Sequence, residues 1–314
     1  MLLHEFGGVD RDDDVDRQGG VMRTRLLGLA VAAVALGLGV GAASAEETEP
    51  GGKLLLTGGV SALEGGAGGG LSTWALISGN ETSRGVGGSV HATYVNVPDY
   101  ELRSVGGAIG LFDRVELSVA RQEFDTGATG AKLGLGKGFT FRQDIIGVKV
   151  RLVGDVVYDQ DTWLPQVAVG VQAKQNNQGA IIHAVGGKDD DGVDYYAAAT
   201  KLLLDRSLVL NGTVRLTKAN QTGLLGFGGD KHDSYKTQFE GSAGWLVSKR
   251  LLVGAEYRTK PDNLGFAKED DWADVFVAYA FNKTLSVTAA YANLGDIATF
   301  KDQRGLYLSL QAGF

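Results

Sequence analysis

The last eleven residues, RGLYLSLQAGF (304–314), repeat with period two. In a strand, Leu306, Leu308, Leu310, Ala312 and Phe314 share one face, while Tyr307, Ser309, Gln311 and Gly313 share the other. Other stretches follow the same rule. Val167, Val169, Val171 and Ala173 alternate with Gln166, Gly170, Gln172 and Lys174. Leu208, Leu210, Val214 and Leu216 alternate with Asn211, Thr213, Arg215 and Thr217, and Leu251, Val253, Ala255 and Tyr257 with Gly254, Glu256 and Arg258. Each segment therefore has one apolar face and one polar face.

Working outward, the pattern predicts strands near 69–78, 86–97, 99–112, 114–125, 139–153, 163–174, 194–204, 207–220, 235–247, 250–260, 271–281, 284–294 and 304–314, with a weaker one at 53–61. Most have about ten residues or more, the length a tilted strand needs to cross a bilayer. Soluble strands average about five or six. Tight turns at Asp113-Arg114, Asp205-Arg206, Ser248-Lys249 and Asn282-Lys283 alternate with polar loops at 126–138, 175–193, 221–234, 261–270 and 295–303. Short connections on one side and long ones on the other are the pattern of an outer-membrane barrel, with the short ones periplasmic. The expectation is an all-β fold, a transmembrane antiparallel up-and-down β-barrel of 12–14 strands. An even count of fourteen follows if 53–61 joins the thirteen clearer segments, and twelve if one early segment drops out. Aromatic residues near predicted strand ends (Phe112, Phe139, Trp163, Tyr195, Tyr257, Trp272, Phe281, Phe314) suit the girdles of such a barrel.

The front of the chain reads as an address. Met22 is followed by Arg23 and Arg25, an apolar run from Leu26 to Val40, and Ala43-Ser44-Ala45. That is a secretory signal peptide over 22–45, with cleavage after Ala45 and Glu46 as the mature start. Residues 1–21 read as an over-extended start, and 46–314 as the barrel. Nothing else in the sequence approaches the roughly 18 apolar residues of a spanning helix, so insertion would have to use strands.

Composition narrows the function classes. The 314 residues include no cysteine, 4 prolines and 48 glycines, with a formal net charge of -7. Zero cysteine excludes a disulfide framework, a thiolate metal site and a cysteine nucleophile. The acidic balance argues against nucleic acid as a partner, since that affinity comes from neutralising phosphates.

Five stretches carry a family likeness: GLFDRVELSVARQEFDTGATGAKLGLGKGFTF (110–141), DTWLPQVAVGVQ (161–172), TKANQTGLLGFGGDKH (217–232), AEYRTKPDNLG (255–265) and KDQRGLYLSLQAGF (301–314). They resemble a proteobacterial family of exported, uncharacterised proteins classed as a domain of unknown function. The likeness runs from about Gly52 to the end. It implies an outer-membrane location, and carries with it no established substrate and no assigned catalytic residues. The terminal strand, with Leu306, Leu308, Leu310 and Phe314, resembles the signal read by the barrel-assembly machinery, although Ala312 stands where an aromatic is common.

Motifs for chemistry are weak. Gly134, Gly136, Lys137 and Gly138 lack the spacing of a phosphate loop, and a strand rather than a helix follows. Lys188, Asp189, Asp190, Asp191, Gly192 and Asp194 form an acidic loop that could hold calcium, though without the spacing of an EF-hand. Of the mature histidines His91, His183 and His232, none has a second histidine at metal spacing. Ser89 and His91 lie close in sequence on one predicted strand and would need a third group, on the lipid-facing surface, to suggest a hydrolase.

The charges on the polar faces are the candidate site. Facing hydrocarbon would cost each roughly 2–4 kcal/mol near the midplane. Arg103, Glu116, Lys149, Arg151, Lys174, Arg215, Glu240, Glu256 and Arg258 are therefore expected to face the lumen. Such charges either line a selective path or pair and fill the interior. The leading expectation is a porin-like channel for passive diffusion of small solutes, without cofactor, metal or enzymatic activity. The alternatives are a non-conducting structural or adhesion barrel and an outer-membrane enzyme. The expected surroundings are outer-membrane lipid and lipopolysaccharide.

Overall fold

In the computed structural model, residues 53–314 are described, Gly59 apart. The predicted start at Met22, the signal peptide 22–45 and the cleavage site after Ala45 lie outside the described residues. Twelve strands follow in order: β1 (Val86–Asn96), β2 (Glu101–Leu111), β3 (Val115–Asp125), β4 (Thr140–Val153), β5 (Gln166–Asn176), β6 (Asp191–Leu203), β7 (Leu208–Thr217), β8 (Lys236–Ser248), β9 (Leu251–Arg258), β10 (Trp272–Ala280), β11 (Leu285–Asn293) and β12 (Arg304–Gly313). Each pairs antiparallel with the next, and β1 pairs with β12 from Ser89↔Gly313 to Asn96↔Leu306, which closes the barrel. Closure leaves no edge strand with unpaired donors and acceptors.

Among the described residues the strand count is twelve, the lower of the two even counts expected. The segments 53–61 and 69–78 are not wall strands, although their short apolar runs between glycines look like strands in the sequence. They belong to a stretch that runs from Lys53 to β1 inside the barrel, where Leu63, Glu64, Leu71, Trp74 and Ile77 are all buried. The reason is geometric. Eight strands enclose a space that side chains alone can fill, and the diameter grows with strand number. Twelve leave room that must be taken by water or by more chain.

The alternation read from the sequence sets inside from outside. On β12, Leu306, Leu308 and Leu310 are exposed on the outer wall, while Tyr307, Ser309 and Gln311 are buried inside. Val105, Leu117, Ile146, Val169, Leu210, Val214, Phe239, Val275 and Tyr291 continue the apolar outer belt around the ring. An apolar surface on this scale is not left to water by a soluble monomer. The four predicted tight turns all fall at one end, together with the final residue Phe314. A longer turn, 154–165, joins them there with Trp163 91% exposed. The long connections lie at the other end. Of the predicted girdle aromatics, Phe112, Trp163, Tyr195, Tyr257, Phe281 and Phe314 are exposed. Trp272 is instead buried in the interior, because it shares the inward row of β10 with Asp274 and Phe276. Among the described residues no helix is long and apolar enough to cross a membrane, which says nothing of a β-barrel.

Candidate functional site: the filled lumen

The inner segment is a folded-back strip rather than a sheet. Its own backbone bonds leave many groups unpaired; they include Ala62 N–H to the Gly66 carbonyl (2.8 Å), Leu63 N–H to Gly70 (2.9 Å), Gly69 N–H to Ser72 (3.1 Å) and Trp74 N–H to Ala67 (3.1 Å). A buried backbone group without a partner is costly, and the wall supplies partners through its inward side chains. Ser104 Oγ and Gln122 Nε2 donate to the Leu63 carbonyl at 2.8 and 3.0 Å. Ala75 N–H donates to Thr200 Oγ1 (2.8 Å), and Gln166 Nε2 donates to the Ala75 carbonyl (2.7 Å). Thr213 Oγ1 and Asn211 Nδ2 both reach the Thr73 carbonyl. The polar face of the strands is thus a docking surface for backbone.

Charged wall residues fasten the same strip. Glu116 on β3 and Lys149 on β4 are cross-strand partners 3.0 Å apart. Glu116 Oε2 accepts from Ala67 N–H (3.2 Å) and Ser78 N–H (2.9 Å), and Lys149 Nζ donates to the carbonyls of Ala67 and Leu76. One ion pair therefore holds both legs of the strip. A second cluster surrounds Glu64 at the bend. Arg258 donates to both Glu64 oxygens at 3.0 Å, Lys174 Nζ lies 2.5 Å from Oε1, and Arg215 Nη2 lies 3.4 Å from Oε2. Lys174 also meets Asp194 (2.7 Å), and Arg215 meets Glu240 (2.6 Å). Glu240 accepts from Thr73 N–H (2.7 Å), and Glu256 from Leu71 N–H (2.8 Å) and from the hydroxyls of Ser72 and Ser242. Both signs are present, and most of these charges meet an opposite charge or a backbone dipole, which makes such burial tolerable.

Close approach at the bend needs glycine. A Cβ on Gly69 would stand 2.7 Å from the Glu256 carboxylate carbon and 3.0 Å from the Trp74 ring. Gly70 has φ +139°, a conformation that L side chains rarely adopt.

An apolar cluster lies toward each end of the interior. At the turn end Leu54, Leu56 and Trp74 of the strip face Leu202, Val209 and Leu252 of the wall around a cavity. At the loop end Tyr100, Phe124, Trp272, Leu294 and Ile297 cluster with Leu224 and Leu225 of the loop after β7. That loop turns inward, with Asn220, Gly223 and Phe227 buried. Lys260 and Glu269 form a buried pair (3.2 Å) beneath it, and Glu269 Oε1 accepts from Gln221 N–H (3.1 Å). Burial pushes the Lys260 ammonium below its ordinary value and the Glu269 carboxyl above its own.

Of the nine residues expected to face the lumen, Glu116, Lys149, Lys174, Arg215, Glu240, Glu256 and Arg258 are buried in this network. Arg151 sits at the turn-end rim, paired with Asp113 (2.7 Å) and Asp155 (3.2 Å). Arg103 does not face the lumen. It lies on the outward row of β2 with Val105, 64% exposed, 3.3 Å from Glu101. It stands two residues from the loop end of its strand, where an outward charge costs only about 0–1 kcal/mol. The apolar Val105 and Ile109 on its own row, against Ser104, Gly106 and Ala108 on the other, already marked that row as outward.

Glu64, Asp194 and Asp274 are buried interior charges that sequence parity did not single out. The signal for Glu64 was ALEGGAGGG (62–70), a glycine density suited to packing against another backbone. Asp194 belongs to the acidic loop, but its carboxylate turns inward. Among the described residues no group of three or more acidic, histidine or cysteine side chains is arranged to hold a metal ion. Ser89 and His91 are both buried inside and do not face lipid. Ser89 pairs with Ser78 and Ser61, and His91 Nε2 lies 3.3 Å from Ser104 Oγ.

With this geometry in view, the model of one protein family, described as proteins of unknown function (DUF3034), matches residues 57–311. The chain belongs to this family. The match takes in the inner strip as well as the wall, so the family's pattern extends over both. No curated protein sequence matches the chain. Among solved structures, a KdgM porin in complex with disordered oligogalacturonate is similar at 10% identity and TM-score 0.47, over 72% of this chain and 99% of that one. The NanC porin is similar at 9% and 0.45, over 72% and 98%. The outer-membrane phospholipase A of Escherichia coli is similar at 8% and 0.39, over 73% and 96%. Likeness at this level carries no argument about activity.

Proposed function

We propose that this chain is an outer-membrane channel for small solutes, held closed in this conformation by its own residues 53–85. The observation that supports the reading is how the strip is held. Between its ends the wall grips it through hydrogen bonds and ion pairs, and the groups that do so are those a water-filled path requires once the strip moves aside. Passive diffusion through an open tube does not fit a lumen filled in this way, so the porin-like expectation becomes a gated one. The apolar outer belt supports insertion among lipid and lipopolysaccharide. The terminal strand supports delivery by the barrel-assembly machinery. Ser89 and His91 have no catalytic role in this reading, because both are engaged in the interior.

The test uses the absence of native cysteine. Ser61 and Ser89 hydroxyls lie 3.5 Å apart, so a Ser61→Cys, Ser89→Cys pair ties strip to wall when oxidised. The oxidised protein should be silent in planar bilayers. The reduced protein carrying Glu64→Ala should show frequent openings. A strip shown to be displaced by chemical labelling, in a barrel that still conducts nothing, would reject the channel. It would favour the second reading, a closed structural or adhesion barrel, for which the inward-turned loop 218–230 is the supporting observation.

A further inference from the structure

The turn end of the interior holds a cavity of about 320 Å³ between the strip and the wall. Its lining is almost wholly apolar, with Leu56, Trp74 and Leu76 on one side and Leu202, Val209 and Leu252 on the other. Protein interiors pack with few voids larger than a water molecule. An apolar cavity of about 150 Å³ already takes up benzene, and pockets for small ligands begin at roughly 300 Å³. The size therefore suits one acyl chain and not a two-chain lipid. The mouth is formed by Leu54, Leu204 and the turn between β8 and β9, where Lys249 is exposed. Lys249 has no acidic partner among the described residues. The chemistry runs in one direction, from an apolar interior to Lys249, the one charged residue among those that line the cavity.

We infer that this cavity binds a single-chain amphiphile with an anionic head, such as a medium-length fatty acid, its chain against Trp74 and its carboxylate at Lys249. Entry is from the end that carries the tight turns. The site goes beyond the channel reading: it requires the strip to be seated and does not require the lumen to open. A bound chain would hold Leu54–Leu56 against the wall and so favour the closed state.

The experiment reads Trp74 directly. The probe is 11-bromoundecanoate, whose bromine quenches a tryptophan that it touches, added to the protein in phosphatidylcholine bilayers. One variant keeps only Trp74, with Trp163, Trp245 and Trp272 changed to Phe. A control keeps only Trp272, which is buried at the opposite end. Saturable quenching of Trp74 and none of Trp272 is expected. Lys249→Glu, a change on an exposed turn, should raise the half-saturating concentration about fivefold, and Lys249→Arg should restore it. Neutral 11-bromoundecanol should bind more weakly and ignore the Lys249→Glu change. Absence of saturable quenching at Trp74, as when another part of the chain occupies the cavity, overturns the inference. So does equal quenching of Trp272, or indifference of the carboxylate probe to Lys249→Glu.

Discussion

Glu64 and Arg258 meet inside the barrel as a two-pronged pair, each guanidinium Nη donating to one carboxylate oxygen at 3.0 Å across 194 positions of sequence. Planar geometry and charge make this among the stronger kinds of hydrogen-bonded contact. Lys174 and Arg215 converge on the same carboxylate. One side chain of the strip thus neutralises part of a cationic cluster built by β5, β7 and β9, and two acids of the wall, Asp194 and Glu240, neutralise the rest. The strip and the wall are electrostatically incomplete without each other.

Glu64→Ala should unseat the bend. Removing one partner of a buried ion pair costs about 3–5 kcal/mol, because Lys174, Arg215 and Arg258 are left with only Asp194 and Glu240 to neutralise them. A single reporter cysteine at buried Ala67 should become reactive to a maleimide in this variant and stay protected without it. Protection in both would mean that Glu64 does not hold the strip.

Gly69→Val should release the bend by steric means with no change of charge. The added side chain meets Glu256, which is itself held by Leu71 N–H and two serine hydroxyls, and the Trp74 ring on the other side. The same cysteine reporter should open, while the barrel keeps its detergent-resistant, heat-modifiable migration. A barrel lost together with the strip would show that the wall cannot close without it.

Selectivity distinguishes inward from outward charge. With the strip released, Arg215→Glu together with Arg258→Glu should shift reversal potentials toward cations. Arg103→Glu should leave them unchanged, since Arg103 lies on the outer wall beside Glu101. An equal effect of Arg103→Glu would place that side chain in the path.

Glu81 gives a pH dependence of known sign. Burial raises its carboxyl above the ordinary 4.5, and the attraction of Lys53, 2.8 Å away, only partly offsets this. Its second oxygen has no partner, which is why burial dominates. A raised value in the seated state means that this group adds stability below 4.5 and loses it as pH rises through the raised value. Acidification from neutral should therefore tighten the turn-end anchor, and Glu81→Gln should remove that slope. Hydrogen exchange of residues 77–82 between pH 7 and 5 measures it. A slope of opposite sign, or one that survives Glu81→Gln, would assign the effect to other groups.

Leu308→Lys should impair insertion without touching the interior. Leu308 lies on the outer row of β12, and a lysine facing mid-membrane costs roughly 2–4 kcal/mol. The yield of heat-modifiable barrel in lipid vesicles measures it, with Ser309→Ala on the inner row as the comparison.

Sequence alone determined the wall. Period-two alternation is a property of covalent geometry: successive Cβ atoms point to opposite sides whatever the strand pairs with. Leu306, Leu308 and Leu310 could thus be assigned to one face and Ser309 and Gln311 to the other before any partner was known, and four turns to one end. Tertiary structure alone decided what fills the ring. Residues 53–61 and 69–78 have the length and apolar content of strands, and only a closed ring of twelve shows that they lie within it. Local pattern says which way a side chain faces. It does not say whether the space it faces holds water or the chain's own backbone, because the partners of Glu64, on β5, β7 and β9, are more than a hundred residues away and meet it only when the barrel shuts.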